Sequence, residues 1–94
     1  MKWLVRLTSA ANRDLVRLAA TLGERSPVAG EQALGELQRV IASLEDMPER
    51  GFAGPTPALR QVVVPFGRDG YVIRYRASRG VVTISRIFHG RERR

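Results

Sequence analysis

The sequence has no cysteine, one histidine and no apolar run long enough to cross a membrane. The first absence excludes disulfides and thiolate metal sites and fits a reducing compartment. With His89 alone, a structural zinc site is not expected either. The opening Met1-Lys2-Trp3-Leu4-Val5-Arg6 is too short in apolar residues for a secretory signal. Together these absences predict a soluble, cytoplasmic protein. Internal repeats, low-complexity tracts, a glycine-rich phosphate loop, paired acids and a Ser/His/Asp set are also missing, so neither cofactor nor metal is expected. Acid is scarce in one place. Residues 60–94 hold nine arginines (Arg60, Arg68, Arg74, Arg76, Arg79, Arg86, Arg91, Arg93, Arg94) against Asp69 and Glu92, while residues 1–59 balance seven bases with seven acids. The net charge of +7 therefore lies on one unit. Such a field serves solubility or draws an acidic partner: nucleic acid, an enzyme of nucleic acid, or an acidic protein segment.

At 94 residues the chain predicts one domain over 1–94 with a modest core. Trp3 to Leu7 reads as a short strand, and Thr8 or Ser9 can cap the helix after it. Ala11, Leu15, Leu18, Ala19 and Leu22 form one helical stripe, with Gly23 as its expected end. Asp14, Glu24 and Glu31 read as solvated helix residues. Ser26-Pro27 starts a second helix whose stripe is Ala33, Leu34, Leu37, Val40, Ile41 and Leu44, ending at Met47-Pro48. The short spacer between the two predicts an antiparallel helical hairpin. Residues 48–58 are a Pro/Gly-rich connection, with Phe52 expected to pin it to the body.

The period then changes to two. Residues 59–64 form a strand stopped by Pro65, Asp69-Gly70 turns the chain, and Tyr71, Ile73 and Tyr75 alternate with Val72, Arg74 and Arg76. The tyrosines read as core. Ala77 to Gly80 turns again into the last strand, Val81 to His89. There the apolar parity switches from Val82 and Ile84 to Ile87, which both faces being partly buried or a β-bulge near Ser85-Arg86 would explain. The predicted fold is α+β, in the order β-α-α-β-β-β, a helical hairpin packed on one face of a small, mainly antiparallel sheet. Its other face and basic end stay available.

With that order, the Thr8-Ser9-Ala10-Ala11-Asn12-Arg13-Asp14-Leu15 opening, the Gly70-Tyr71-Val72-Ile73-Arg74-Tyr75-Arg76 strand and the closing Ile84-Ser85-Arg86-Ile87-Phe88-His89-Gly90-Arg91 resemble the RelE/ParE toxin superfamily. The His-Gly-Arg ending resembles the ParE branch. RelE-type members cleave mRNA on the ribosome with clustered cations and a C-terminal aromatic. Where that pattern expects lysines this sequence has Val63 and Pro65, and where it expects an arginine it has Val72. Arg91 is the one matching cation, and the sequence ends before the aromatic. Residues of such a unit are strongly non-additive, so losing most of them should remove the chemistry.

The resemblance thus implies a non-enzymatic toxin of a type II toxin–antitoxin pair. Such a toxin poisons DNA gyrase and is neutralised by a ParD-like antitoxin with an acidic C-terminal segment, forming a toxin–antitoxin hetero-oligomer. A RelE-type interferase built on Arg60, Arg74, Arg91 and His89, or a basic nucleic-acid-binding module, are the alternatives. On the gyrase reading, Arg86, His89, Arg91 and Arg93 contact the target, whereas Arg60, Arg74, Arg76 and Arg86 dock the antitoxin through charge-assisted bonds. His89 reads as a proton-transfer group, a partner contact or plain surface. Residues beyond Phe88 offer few apolar contacts, so their removal is expected to spare the fold.

Overall fold

Thr8 opens the first helix by accepting the Ala11 N–H on its hydroxyl at 3.1 Å. In the computed structural model, which describes residues 2–92, the chain runs β1 (Leu4–Leu7), α1 (Ser9–Arg25), α2 (Pro27–Ser43), β2 (Phe52–Ala53), β3 (Arg60–Val64), β4 (Tyr71–Ser78) and β5 (Val81–His89). The strands form one sheet in the order β1-β5-β4-β3-β2, antiparallel except for the parallel β1–β5 pair. This is the expected α+β arrangement, with one further edge strand, β2.

Gly23 does not end α1, which continues to Arg25, and Ser26 alone separates the helices. Ser26 closes α1 through its N–H to the Leu22 carbonyl and caps α2 by accepting the Ala29 N–H. The close packing in this hairpin depends on a different glycine, Gly30; a Cβ on Gly23 would meet nothing within 4 Å. A Cβ on Gly30 would lie 2.9 Å from the Gly23 Cα and 3.0 Å from the Ala19 carbonyl oxygen, so the helix backbones cross in near contact there. α2 also stops earlier than expected, at Ser43, and turns lead from it to Met47.

The helices cover one sheet face. Ala11, Leu18, Ala33, Leu37, Val40 and Leu44 meet Val62, Val64, Tyr71, Ile73, Tyr75, Val82, Ile84 and Ile87 in one buried cluster, with Trp3 partly buried against it. Tyr71 and Tyr75 are core residues, as read. Phe52 is not the pin of its loop: it is 53% exposed on β2. The loop is held by polar bonds, because the buried Tyr75 hydroxyl accepts the Gly51 N–H at 2.9 Å while Arg60 donates to the Glu49 and Gly51 carbonyls. Arg79 (φ 52°) and Gly80 (φ 80°) make the two-residue turn of positive φ that suits a right-twisted β4–β5 hairpin. Both explanations of the parity switch hold: the bulge is present, and Val72 and Phe88 on the other face are buried as well. Arg74 pairs with Arg86 and Tyr75 with Ile84, leaving Ser85 over, so Ile84 and Ile87 both face the core. No helix among the described residues is long and apolar enough to cross a membrane.

Candidate functional site

β1 pairs with β5 only along residues 81–84. Beyond them the outer edge of β5 has no strand neighbour among the described residues, and an unpaired edge must be covered or solvated. Side chains cover it. The Thr8 hydroxyl donates to the Ser85 carbonyl at 3.0 Å. An Asp14 oxygen accepts the Ile87 N–H at 2.9 Å, and Glu92 accepts the His89 N–H at 2.7 Å. Asp14 is therefore not the solvated helix residue its type suggested: it is 5% exposed. It also receives a bidentate pair from Arg86, 2.7 Å from Nε and 3.1 Å from Nη2, with Arg17 at 3.7 Å. Burial raises the Asp14 carboxyl, but the Arg86 hydrogen bond, the Ile87 N–H and the charges of Arg86 and Arg17 outweigh it and hold it below its ordinary value.

Arg17 extends this network to Glu92, 3.2 Å away. Between the C-terminal half of α1 and the end of β5 lies a cleft of about 450 Å³. Leu18, Leu22 and Tyr71 give it an apolar wall, Arg17, Arg25 and Arg91 a cationic rim, and His89 an imidazole edge, with Glu92 lying among them. Tyr71 meets the His89 ring edge-on at 5.5 Å, and burial pushes its phenol up, so the hydroxyl stays neutral. The His89 Nδ1 accepts the Arg91 N–H at 3.2 Å, which puts the proton of a neutral ring on Nε2. Gly90 donates to the Gly70 carbonyl at 2.9 Å, and Arg91 pairs with Asp69 at 3.2 Å. A Cβ on Gly90 would collide with the Asp69 carbonyl oxygen, so only glycine lets the strand end dock on the β3–β4 turn. Residues after Phe88 are thus bonded to the body at several points, contrary to the expectation that they could be lost freely.

The structure groups the sequence-derived site residues differently from their assignment. His89 and Arg91 share the cleft, Arg86 stands beside it on Asp14 with its side chain about half exposed, and Arg93 lies outside the described residues. Of the four arginines assigned to antitoxin docking, Arg74 and Arg76 share the sheet face away from the helices, whereas Arg86, paired with Arg74 in the register, turns its guanidinium onto Asp14 of α1. Arg74 there donates to Gln61 and lies 5.0 Å over the Phe88 ring. Arg60 pairs with Tyr75 in the β3–β4 register, on the opposite face, and ties down the 48–54 loop. The four therefore form no single patch. Asp14, Arg17, Arg25 and Glu92 were missed. For Asp14 a signal existed, since it falls on the inner stripe between Ala11 and Leu18, where a carboxylate needs a partner.

Residues 5–94 match the family described as ParE toxin of type II toxin–antitoxin system, parDE. The chain is 40% identical to Toxin RelE1 of Caulobacter vibrioides over the whole of both chains. It is 34% identical to Toxin RelE3 of the same organism, covering 96% of this chain and 97% of that one. Among solved structures it resembles a chain of a chromosomal ParDE toxin–antitoxin system from P. aeruginosa with a TM-score of 0.79, at 16% identity, over 94% of this chain and 96% of the other.

Proposed function

We propose, for a chain that belongs to the ParE toxin family of type II toxin–antitoxin systems, that it arrests growth by binding DNA gyrase, performs no chemistry of its own, and is neutralised in the cytoplasm by a ParD-like antitoxin with an acidic C-terminal segment. One observation carries the reading. Val63 and Val72 face each other across β3 and β4, with Pro65 directly after β3. The positions where RelE-type toxins would concentrate catalytic cations thus present an apolar surface here, with Val63 47% exposed and Val72 buried. Electrostatic stabilisation of a phosphoryl transition state needs charges fixed at those points. Arrest through binding asks instead for directed donors at one end, and His89, Arg91 and the adjoining Arg86 supply them. Expression without antitoxin should induce the DNA-damage response and leave gyrase-linked breaks. Translation stopping first, with mRNA cut in the ribosomal A site, would refute it.

The RelE names of the Caulobacter relatives favour a second reading, ribosome-dependent mRNA cleavage. Here His89 and Arg91 share one cleft and would be its active pair. Cleavage of mRNA on programmed ribosomes, lost in Arg91→Ala, would decide for it.

A further inference from the structure

The cleft beside α1 already holds a carboxylate, and that carboxylate belongs to the chain itself. Glu92 places Oε1 2.7 Å from the His89 N–H, and its two oxygens lie 3.4 and 3.2 Å from Arg17 Nη2. One backbone donor and one guanidinium converging on a carboxylate make an anion receptor. Leu18, Leu22 and Tyr71 lie beside it, so an aliphatic side chain next to the carboxylate would be buried as well. Further along the same helix face, Arg25 lines the cleft and has no acid partner among the described residues.

We infer that this cleft is the receptor for an extended acidic–aliphatic segment of the antitoxin, and that Glu92 is its resident occupant, displaced when that segment binds. The inference rests on the antitoxin reading above and assigns the partner's segment a place. Arg17 and Arg25 are eight positions apart, about 12 Å along a helix. An extended chain covers that distance in four residues at about 3.3 Å each. The matching segment therefore carries two acids four residues apart with an aliphatic residue midway. A mobile segment fits better than a rigid surface, because Glu92 itself reaches the receptor from a turn closed by its own N–H on the His89 carbonyl. Since His89 and Arg91 line the same cleft, a bound segment also covers the end assigned to the target, and neutralisation is direct occlusion.

The probe is the peptide acetyl-Glu-Ala-Leu-Ala-Glu-amide, titrated into the full chain and followed by amide and arginine side-chain NMR. Saturable shifts should centre on Leu22, Tyr71 and the His89 amide, and the glutamine version of the peptide should leave them unmoved. Glu92→Gln keeps an acceptor for the His89 N–H but removes the competing charge, so it should tighten binding about tenfold, the value of one charge-assisted bond. Arg17→Ala in that background should reverse the gain. If Glu92→Gln loses the native spectrum, Arg25→Ala in the unaltered chain decides, because the Arg25 side chain makes no hydrogen bond or ion pair among the described residues that its loss would break. It should weaken the peptide by about two- to fivefold. Unchanged affinity in Glu92→Gln, or shifts confined to the Arg74 and Arg76 face, would overturn the inference. A chain that binds the peptide in the cleft but leaves gyrase unharmed refutes the functional reading and not the receptor. An antitoxin whose binding ignores both Arg17→Ala and Arg25→Ala refutes the receptor and not the function.

Discussion

Asp14 does three things with two oxygens: it accepts an edge N–H, fixes Arg86 and draws in Arg17. Replacing it by alanine leaves the buried Ile87 N–H without a partner, a loss of about 1–3 kcal/mol. The Arg86 pair adds little to that, because its guanidinium is half exposed and screened. Asp14→Asn keeps an acceptor and should lose less, and urea unfolding of both variants checks the order. Acid sensitivity follows from the same contacts. The folded carboxyl titrates below its ordinary value of 3.8. Its contribution is therefore complete above that pH and disappears as the pH falls through the lower folded value. Wild type should lose stability below about pH 4 more steeply than Asp14→Asn does. An equal slope in both would remove Asp14 from the account. The inner position of Asp14 was legible in the helical stripe. Its role was not, because the need for an edge acceptor arises only once β1 stops short of Ser85.

Among elements, the helical hairpin shows where reading by local signal succeeds and fails. Thr8, Ser26-Pro27 and the apolar stripes place the starts and inner faces of both helices correctly, since caps and periodicity are local properties. Gly23 misleads because it stands inside α1 with open space where its Cβ would be, and Ser26 rather than a glycine closes the helix. Two substitutions in α2 separate those uses. Gly35 is exposed with open space around its would-be Cβ, so Gly35→Ala should raise stability by up to about 1 kcal/mol through helix propensity. Gly30→Ala has the same propensity gain but pushes the helix backbones apart, and should lose about 1–3 kcal/mol net. Thermal melts of the two variants should move in opposite directions. If both rise, the hairpin has room to open and the crossing is not tight. The two-residue β2 was invisible beforehand because two residues carry no period, and it forms only on the edge that β3 offers.

At the scale of the whole molecule, the charge asymmetry was plain in the sequence, but the grouping of the arginines was not. A single step of register puts Arg60 with Tyr75 and Gln61 with Arg74, and so sends Arg60 to the opposite face from Arg74 and Arg76. The strand end likewise proves to be part of the body. Cutting the chain after Phe88 removes the Tyr71–His89 ring contact, the Gly90–Gly70 bond, the Glu92–Arg17 pair and the Arg91–Asp69 pair, and it uncovers the apolar wall at Leu18 and Leu22. Several contacts at about 1 kcal/mol each amount to about 2–4 kcal/mol, or a melting midpoint lower by about 10–25 °C in a chain of this size. Arg91→Ala removes one exposed ion pair, worth at most about 1 kcal/mol. The truncated chain should therefore melt far below Arg91→Ala, and loss of killing after truncation says nothing about the target. Arg91→Ala is the informative variant. It should fold and melt almost as wild type, yet lose most toxicity if the rim of the cleft is what meets gyrase. A truncated chain that melts with Arg91→Ala would mean that the bonds closing β5 onto the β3–β4 turn carry no stability. Full killing by a folded Arg91→Ala would move the target contact away from the cleft, to the Arg74 and Arg76 face of β4.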